Sequence, residues 1–151
     1  MPEQQSSRAA EQHKKDLFFD FLINELSVIT KSKDLCSYIL TITEKSPKRF
    51  RFTIVTKLQN YALELIEHLF RANEIYIGSI GQQGRDRQIE KRLMYQHSAM
   101  TELKLLGYMA QVAMGQQCIL PKQYEQITKK IYDTQNLLGA WIKSDRKRFG
   151  V

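Results

Sequence analysis

Glycine and proline are scarce in this chain of 151 residues, which contains 7 Gly and 3 Pro. A turn-rich all-β fold needs both residue types often, so their scarcity favours long helices. Disorder is disfavoured as well, because 42% of the residues are hydrophobic and 26% are charged. The length is that of one compact domain. We therefore expect a single helical domain.

Cysteine is also scarce, and long apolar runs are absent. Cys36 and Cys118 are too few for a four-ligand zinc site, and without a signal-peptide pattern we expect them to be reduced core thiols of a cytoplasmic protein. A membrane-spanning helix needs roughly 18 apolar residues. The best candidate, residues 17–29, is too short and contains Asp20, Asn24 and Glu25. We expect a soluble protein with no membrane partner.

Apolar residues recur at helical spacing along four segments. This spacing predicts a first helix over about residues 32–45, which Ser46-Pro47 closes because a residue before proline is pushed out of the α region. Further helices are predicted over residues 50–77, from 85 to about 115, and from 121 to about 145. The short connections make neighbouring helices antiparallel. The predicted fold is all-α, an antiparallel up-and-down four-helix bundle with a short N-terminal extension.

Residues 1–31 form that extension, and residues 32–151 form the bundle. Residues 1–16 are almost wholly polar and are predicted to fray. Residues 17–29 are more apolar, and we interpret them as a short appended helix or arm that needs an apolar surface to cover.

Motifs for metal binding or catalysis are weak. Carboxylate-bridged metal bundles use Glu-x-x-His motifs, but Leu65 and Met94 stand three residues before His68 and His97. The glycine-rich loop over residues 78–84 lacks the Lys-Ser/Thr ending of a phosphate-binding loop. Neither cysteine has a histidine at helical spacing. We expect no metal, no cofactor, no catalytic residue and no enzymatic activity.

One enzymatic alternative rests on Arg92 and His97. Their Arg-x4-His spacing resembles the signature of the HEPN ribonucleases, in which arginine would stabilise phosphate charge and histidine would transfer the proton. Chance alone is expected to supply about half a match per chain of this composition, so the pattern has little specificity. The other interpretation places His97 as a structural side chain and Arg92 in a basic helix start.

Basic residues are more informative, because 23 Lys and Arg stand against 16 Asp and Glu and concentrate in three clusters. The clusters cover residues 45–57, 85–92 and 143–148, carry +5, +2 and +3, and leave the rest of the chain at −3. The candidate nucleic-acid-binding residues within them are Lys45, Lys48, Arg49, Arg51, Arg85, Arg87, Lys91, Arg92, Lys143, Arg146, Lys147 and Arg148.

An antiparallel bundle would bring two of these clusters together. The start of the third helix and the end of the fourth lie at one end, so the 85–92 and 143–148 clusters converge there, opposite the 45–57 cluster. Such a surface predicts salt-sensitive binding of RNA or DNA with little sequence specificity. The alternative is a solvated surface that only keeps the protein soluble.

Several short motifs occur in a recognisable order. They are Ser46-Pro-Lys-Arg-Phe-Arg-Phe-Thr53, Phe70-Arg-Ala72, Leu103-Lys-Leu-Leu106, Leu120-Pro-Lys-Gln-Tyr124 and Leu138-Gly-Ala-Trp141. Over about residues 32–148 the chain resembles the accessory variability determinant proteins of diversity-generating retroelements. These belong to a wider bacterial four-helix-bundle family that includes the proteins encoded in rRNA intervening sequences. Residues 1–31 have no counterpart in the family pattern.

The resemblance implies a non-enzymatic basic bundle, homopentameric in the retroelement members, that binds nucleic acid and a reverse transcriptase. The positions that carry over are Lys48, Arg49, Arg51, Arg146, Lys147 and Arg148. Apart from the resemblance, surplus apolar residues on the second helix also predict a homo-oligomer. A protein-binding scaffold with no nucleic-acid role is the remaining alternative.

Overall fold

The described part of the chain forms four long α-helices. The computed structural model describes the backbone of residues 2–78 and 82–151, and the side chains of residues 5–16, 27–78 and 83–151. Across these ranges the secondary structure is helical, with no strand, which confirms the all-α class. The helices are α1 (Pro2–Thr43), α2 (Thr56–Glu74), α3 (Gln82–Gly115) and α4 (Pro121–Phe149). Part of the predicted 78–84 loop lies outside the described residues, and Gly84 lies within α3.

α1 is one continuous helix from Pro2 to Thr43, so the predicted helix start at residue 32 is wrong, and residues 2–16, which were predicted to fray, lie within the helix. The physical reason is that no glycine or proline interrupts residues 3–46, and a polar composition does not by itself end a helix. Residues 5–16 are exposed, whereas Val28 is fully buried. Among the described side chains, Val28 thus packs in the core four residues before the predicted boundary. The division into an extension and a bundle stays a prediction.

The junction between α1 and α2 also differs from the prediction of one α-helix over residues 50–77. A 3-10 turn covers Lys48–Phe50, a π-helical segment covers Arg51–Val55, and α2 ends at Glu74. Thr56 contributes to the wider turn, because its Oγ1 donates a hydrogen bond of 2.6 Å to the carbonyl oxygen of Arg51. Ile75 adopts an extended conformation and ends the helix.

Each α-helix packs against two others: α1 and α3 both contact α2 and α4. Gln59 Nε2 donates to Thr43 Oγ1 over 3.0 Å and joins the end of α1 to the start of α2. The Ser46 hydroxyl, just after α1, donates to the carbonyl of Cys118, just before α4, over 2.9 Å. These contacts are compatible with the predicted up-and-down arrangement.

The core lies between the four helices. Its fully or almost fully buried large side chains are Val28, Leu35, Ile39, Leu58, Leu65, Leu69, Leu103, Leu106, Ile127, Leu138 and Trp141. Polar side chains are buried beside them on α3 and α4, including Arg92, Gln96 and Asp145. Burial of charge requires compensating partners, so this polar group marks a specific site.

The predicted boundaries of α3 and α4 at Gly115 and Pro121 are confirmed. Proline suits the first turn of a helix, and the Gln123 side chain accepts the Leu120 N–H over 2.8 Å. The turn before α4 holds Gln117 at a φ of 60°, which is left-handed and costly for a residue with a Cβ. α4 continues to Phe149, four residues past the predicted end, and Gly150 ends it in the left-handed conformation.

Candidate functional site

A buried ion pair joins α3 to α4. Arg92 Nε lies 2.7 Å from Asp145 Oδ2, and Arg92 Nη2 lies 3.3 Å from Asp145 Oδ1. The two side chains are 4% and 0% exposed, so water screens the pair very little. The sequence places them 53 residues apart, near the start of one helix and the end of the next.

Four further groups bind this pair. Gln96 Nε2 donates to Asp145 Oδ2 over 2.7 Å, and Arg148 Nη2 donates to Asp145 Oδ1 over 3.2 Å. Arg92 Nη1 lies 3.4 and 3.3 Å from the carbonyl oxygens of Ala72 and Ile75 at the end of α2. A cation at those carbonyls is favourable, because the C-terminal end of a helix carries partial negative charge. Arg92 therefore ties together α2, α3 and α4.

Aromatic rings complete the surroundings of Arg92. Its guanidinium carbon lies 5.1 Å from the centre of the Trp141 ring and 6.0 Å from that of Phe149. The guanidinium carbon of Arg148 also contacts Phe149, at 4.5 Å from the centre of the ring. These distances are those of cation–π contacts. The Leu138-Gly-Ala-Trp141 motif thus supplies a packing surface for a buried cation.

Arg92 must be removed from the predicted nucleic-acid-binding residues. Its guanidinium is bonded to a carboxylate and to carbonyls inside the protein, and a side chain 4% exposed cannot reach a phosphate backbone. The sequence suggested otherwise because Arg92 stands among Arg85, Arg87 and Lys91 in a charged helix start. Only the fold shows that Arg92 lies on the buried side of that helix.

The same geometry removes the observation behind the ribonuclease alternative. His97 is exposed, and its Nε2 lies 3.3 Å from Nη2 of Arg146. Arg92 is buried and directed at Asp145. The arginine that would have to stabilise a phosphate group is thus committed to the protein interior.

The other cations of the 85–92 and 143–148 clusters lie at the start of α3 and at the end of α4. Arg92–Asp145 and His97–Arg146 contacts hold the start of α3 against the end of α4. Around these contacts Arg85 is half-buried, and the exposed cations are Arg87, Lys91, Lys143, Arg146, Lys147 and Arg148. We call these seven residues the α3/α4 basic surface. The predicted convergence of the 85–92 and 143–148 clusters agrees with these contacts.

The third cluster lies at the junction between α1 and α2. Lys45, Lys48, Arg49 and Arg51 are all exposed in the segment that links α1 to α2, and we call these four residues the α1/α2 basic surface. The hydrogen bond from Ser46 to the Cys118 carbonyl places this segment beside the α3–α4 turn. The α1/α2 basic surface therefore lies beside the α3–α4 turn, whereas the α3/α4 basic surface lies at the start of α3 and the end of α4. Phe52 is exposed in the same segment between α1 and α2, and it was missed as a candidate because it carries no charge.

A second buried polar contact lies between α2 and α3. His68 Nδ1 is 2.6 Å from Glu102 Oε1, and the Glu102 side chain is 8% exposed. Burial raises the pKa of the Glu102 carboxyl above its ordinary value, His68 opposes this rise, and the charges of Glu64 and Glu67 add to it. In the described ranges no group of three His, Cys, Asp or Glu side chains could hold a metal ion.

The cysteines lie in the core. Cys36 and Cys118 are both free and buried, and burial raises the pKa of the Cys36 thiol. A raised pKa disfavours the thiolate, which is the reactive form. In the part of the chain that the structure describes, no helix is long and apolar enough to cross a membrane.

Fold and surface together define a class: a helical protein with cations exposed at its helix junctions and a buried arginine–aspartate pair beneath one group of them. The bAvd-like family model matches residues 26–145, and the chain belongs to that family. This confirms the resemblance to the accessory variability determinant proteins. The match begins at residue 26 rather than 32, and it includes the buried Val28. No curated protein matches the chain.

Proposed function

We propose that this chain is a non-enzymatic accessory factor of a diversity-generating retroelement, built as an antiparallel four-helix bundle that acts in the cytoplasm. Its family suggests an accessory variability determinant role. The proposed role is to bind the RNA or DNA of mutagenic copying, with low sequence specificity, and to associate with a reverse transcriptase.

Exposed cations carry the nucleic-acid part of the proposal. Ten of the twelve predicted nucleic-acid-binding residues are exposed, Arg85 is half-buried, and only Arg92 is buried. Cations held at fixed helix junctions can neutralise several phosphates at once, and each neutralised phosphate releases counterions. Contacts to the phosphate backbone carry no sequence information, so we expect low sequence specificity.

Homo-oligomerisation belongs to the same proposal. Leu63 and Phe70 on α2 are 51% and 56% exposed, and Leu40 on α1 is 39% exposed. Exposed apolar side chains on neighbouring helices are the kind of surface that a subunit interface covers. The proposed pentamer should show five times the chain mass in light scattering, and a monomer at micromolar concentration would contradict it.

The binding proposal is tested by fluorescence anisotropy with labelled RNA and DNA. Affinity should fall by about 10³-fold or more between 50 and 200 mM salt if six or more phosphates are neutralised. Degradation of the labelled RNA would support a ribonuclease instead. If neither labelled RNA nor labelled DNA binds at either salt concentration, the result would support a protein-binding scaffold. Co-purification with a reverse transcriptase encoded beside this chain tests the partner separately.

A further inference from the structure

Phe52 is 86% exposed, more than any other large apolar side chain of the described residues. It lies in the π-helical segment Arg51–Val55. Phe50, two residues earlier, packs against the core. The segment thus directs one phenylalanine inward and presents the other to solvent. π-helical segments of this kind are frequent at functional sites.

Phe52 borders a cleft of about 340 Å³. Lys48 and Arg51 line the same cleft, and Glu44 is its one acidic lining residue. Its polar wall is fixed by internal hydrogen bonds: Thr43 Oγ1 donates to the Ile39 carbonyl over 2.7 Å. The cleft therefore combines a fixed polar wall, two cations and an exposed aromatic ring.

The surrounding charge selects the partner. No acidic residue occurs between residues 45 and 57, whereas five basic residues do. Arg49 stands next to the lining residue Lys48 in the sequence and lies 4.6 Å from the centre of the Phe50 ring, the distance of a cation–π contact. A polyanion with planar aromatic groups fits an exposed ring flanked by cations.

Base pairing decides which polyanion can use the ring. In a duplex each base stacks on its neighbours and is not available to a side chain, whereas the bases of a single strand can be splayed out and stacked on aromatic rings. We propose that Phe52 is a stacking platform for an unpaired base of single-stranded RNA or DNA, with Lys48 and Arg51 bound to adjacent phosphates. This inference rests on the proposed nucleic-acid binding and adds its substrate class.

The test compares Phe52→Ala, Phe52→Trp and a control, Tyr132→Ala. Tyr132 is an aromatic residue of α4 that is 63% exposed and does not line the cleft. Each full-length protein is titrated into a labelled single strand of about 12 nucleotides, and into a duplex of the same length. Circular dichroism and light scattering check helicity and mass.

Phe52→Ala should weaken single-strand binding by about 5- to 150-fold, the range for loss of one stacked base, and leave duplex binding within about twofold. Phe52→Trp should retain the wild-type affinity, and Tyr132→Ala should change neither affinity. An equal loss on both probes, or no loss, overturns the inference. A change of molecular mass in Phe52→Ala overturns it too, because Phe52 would then lie in a protein interface. Failure of the wild-type protein to bind either probe overturns the proposed function itself.

Discussion

Arg92 and Asp145 form a bidentate ion pair inside the protein, with an Nε–Oδ2 distance of 2.7 Å. The pair contacts the α3/α4 basic surface, because Asp145 also accepts a hydrogen bond from Arg148 of that surface. One carboxylate thus holds a structural arginine and a surface arginine. The buried charge of Asp145 links the stability of the fold to the geometry of the candidate interface.

Asp145→Ala should destabilise the protein by about 3–5 kcal/mol, because it leaves the Arg92 charge buried without its partner. Urea unfolding followed by circular dichroism measures this effect. Asp34→Ala is the matched control: Asp34 is 57% exposed and pairs with Lys130 over 2.7 Å, and an exposed pair contributes at most about 1 kcal/mol. Equal losses in the two variants would contradict the structural role of the buried pair.

Replacing both partners tests the same pair differently. In Arg92→Met/Asp145→Leu neither buried charge remains, so much of the loss caused by Asp145→Ala should be recovered. The double variant should also keep its helicity. If it is less stable than Asp145→Ala, the bonds of Arg92 to the Ala72 and Ile75 carbonyls contribute more than the desolvation cost that their removal avoids.

Glu102→Gln should make the protein more stable than the wild type at pH 7, and the difference should shrink towards about pH 4. The pKa of the Glu102 carboxyl is raised in the folded state, chiefly by burial. For an acid with a raised pKa, the stabilising contribution is present below the unfolded pKa and is lost as pH rises through the folded pKa. Glutamine resembles the uncharged carboxyl and has no such loss. Thermal unfolding at several pH values measures the difference.

The exposed Glu125→Gln is the control for this prediction. Substitution of this exposed side chain should change the free energy of unfolding by less than about 0.5 kcal/mol. A constant difference between Glu102→Gln and the wild type across the range would show that the buried carboxyl does not titrate differently on folding.

Gln117→Gly should raise the free energy of unfolding by about 0.5–1 kcal/mol. Gln117 has a φ of 60°, and the left-handed conformation costs a residue with a Cβ about 1–2 kcal/mol. Glycine removes that cost, although its greater freedom in the unfolded chain offsets part of the gain. Gln116→Gly is the control, since the structure records no positive φ there, and it should not stabilise. Urea unfolding of both variants measures the difference.

Local signals in the sequence predicted the helix boundaries that depend on neighbouring residues. Pro121 and Gly115 mark a helix start and a helix end at the predicted positions. The continuity of α1 was missed because a polar composition resembles a frayed end, whereas helix formation depends on the absence of breakers. The π-helical segment was also missed, since no pattern in residues 51–55 distinguishes it from an α-helix.

The sequence predicted the candidate binding residues less accurately than it predicted these helix boundaries. Charge clustering identified exposed cations such as Arg49 and Arg146 correctly as surface residues, but it could not separate them from Arg92. The partner of Arg92 is Asp145, 53 residues away, and such a pairing is a property of tertiary packing. Phe52 carries no charge, so a search for basic residues could not find it.

The salt dependence of nucleic-acid affinity tests the central claim most directly. The variant replaces two exposed cations of each basic surface with glutamine. The changes are Arg49→Gln and Arg51→Gln on the α1/α2 basic surface, and Arg146→Gln and Lys147→Gln on the α3/α4 basic surface. We expect unchanged helicity, weaker binding, and a plot of log affinity against log salt whose slope is less steep by about 0.7–0.9 for each phosphate that the variant no longer neutralises. An unchanged affinity and slope in the folded variant would contradict nucleic-acid binding by these surfaces.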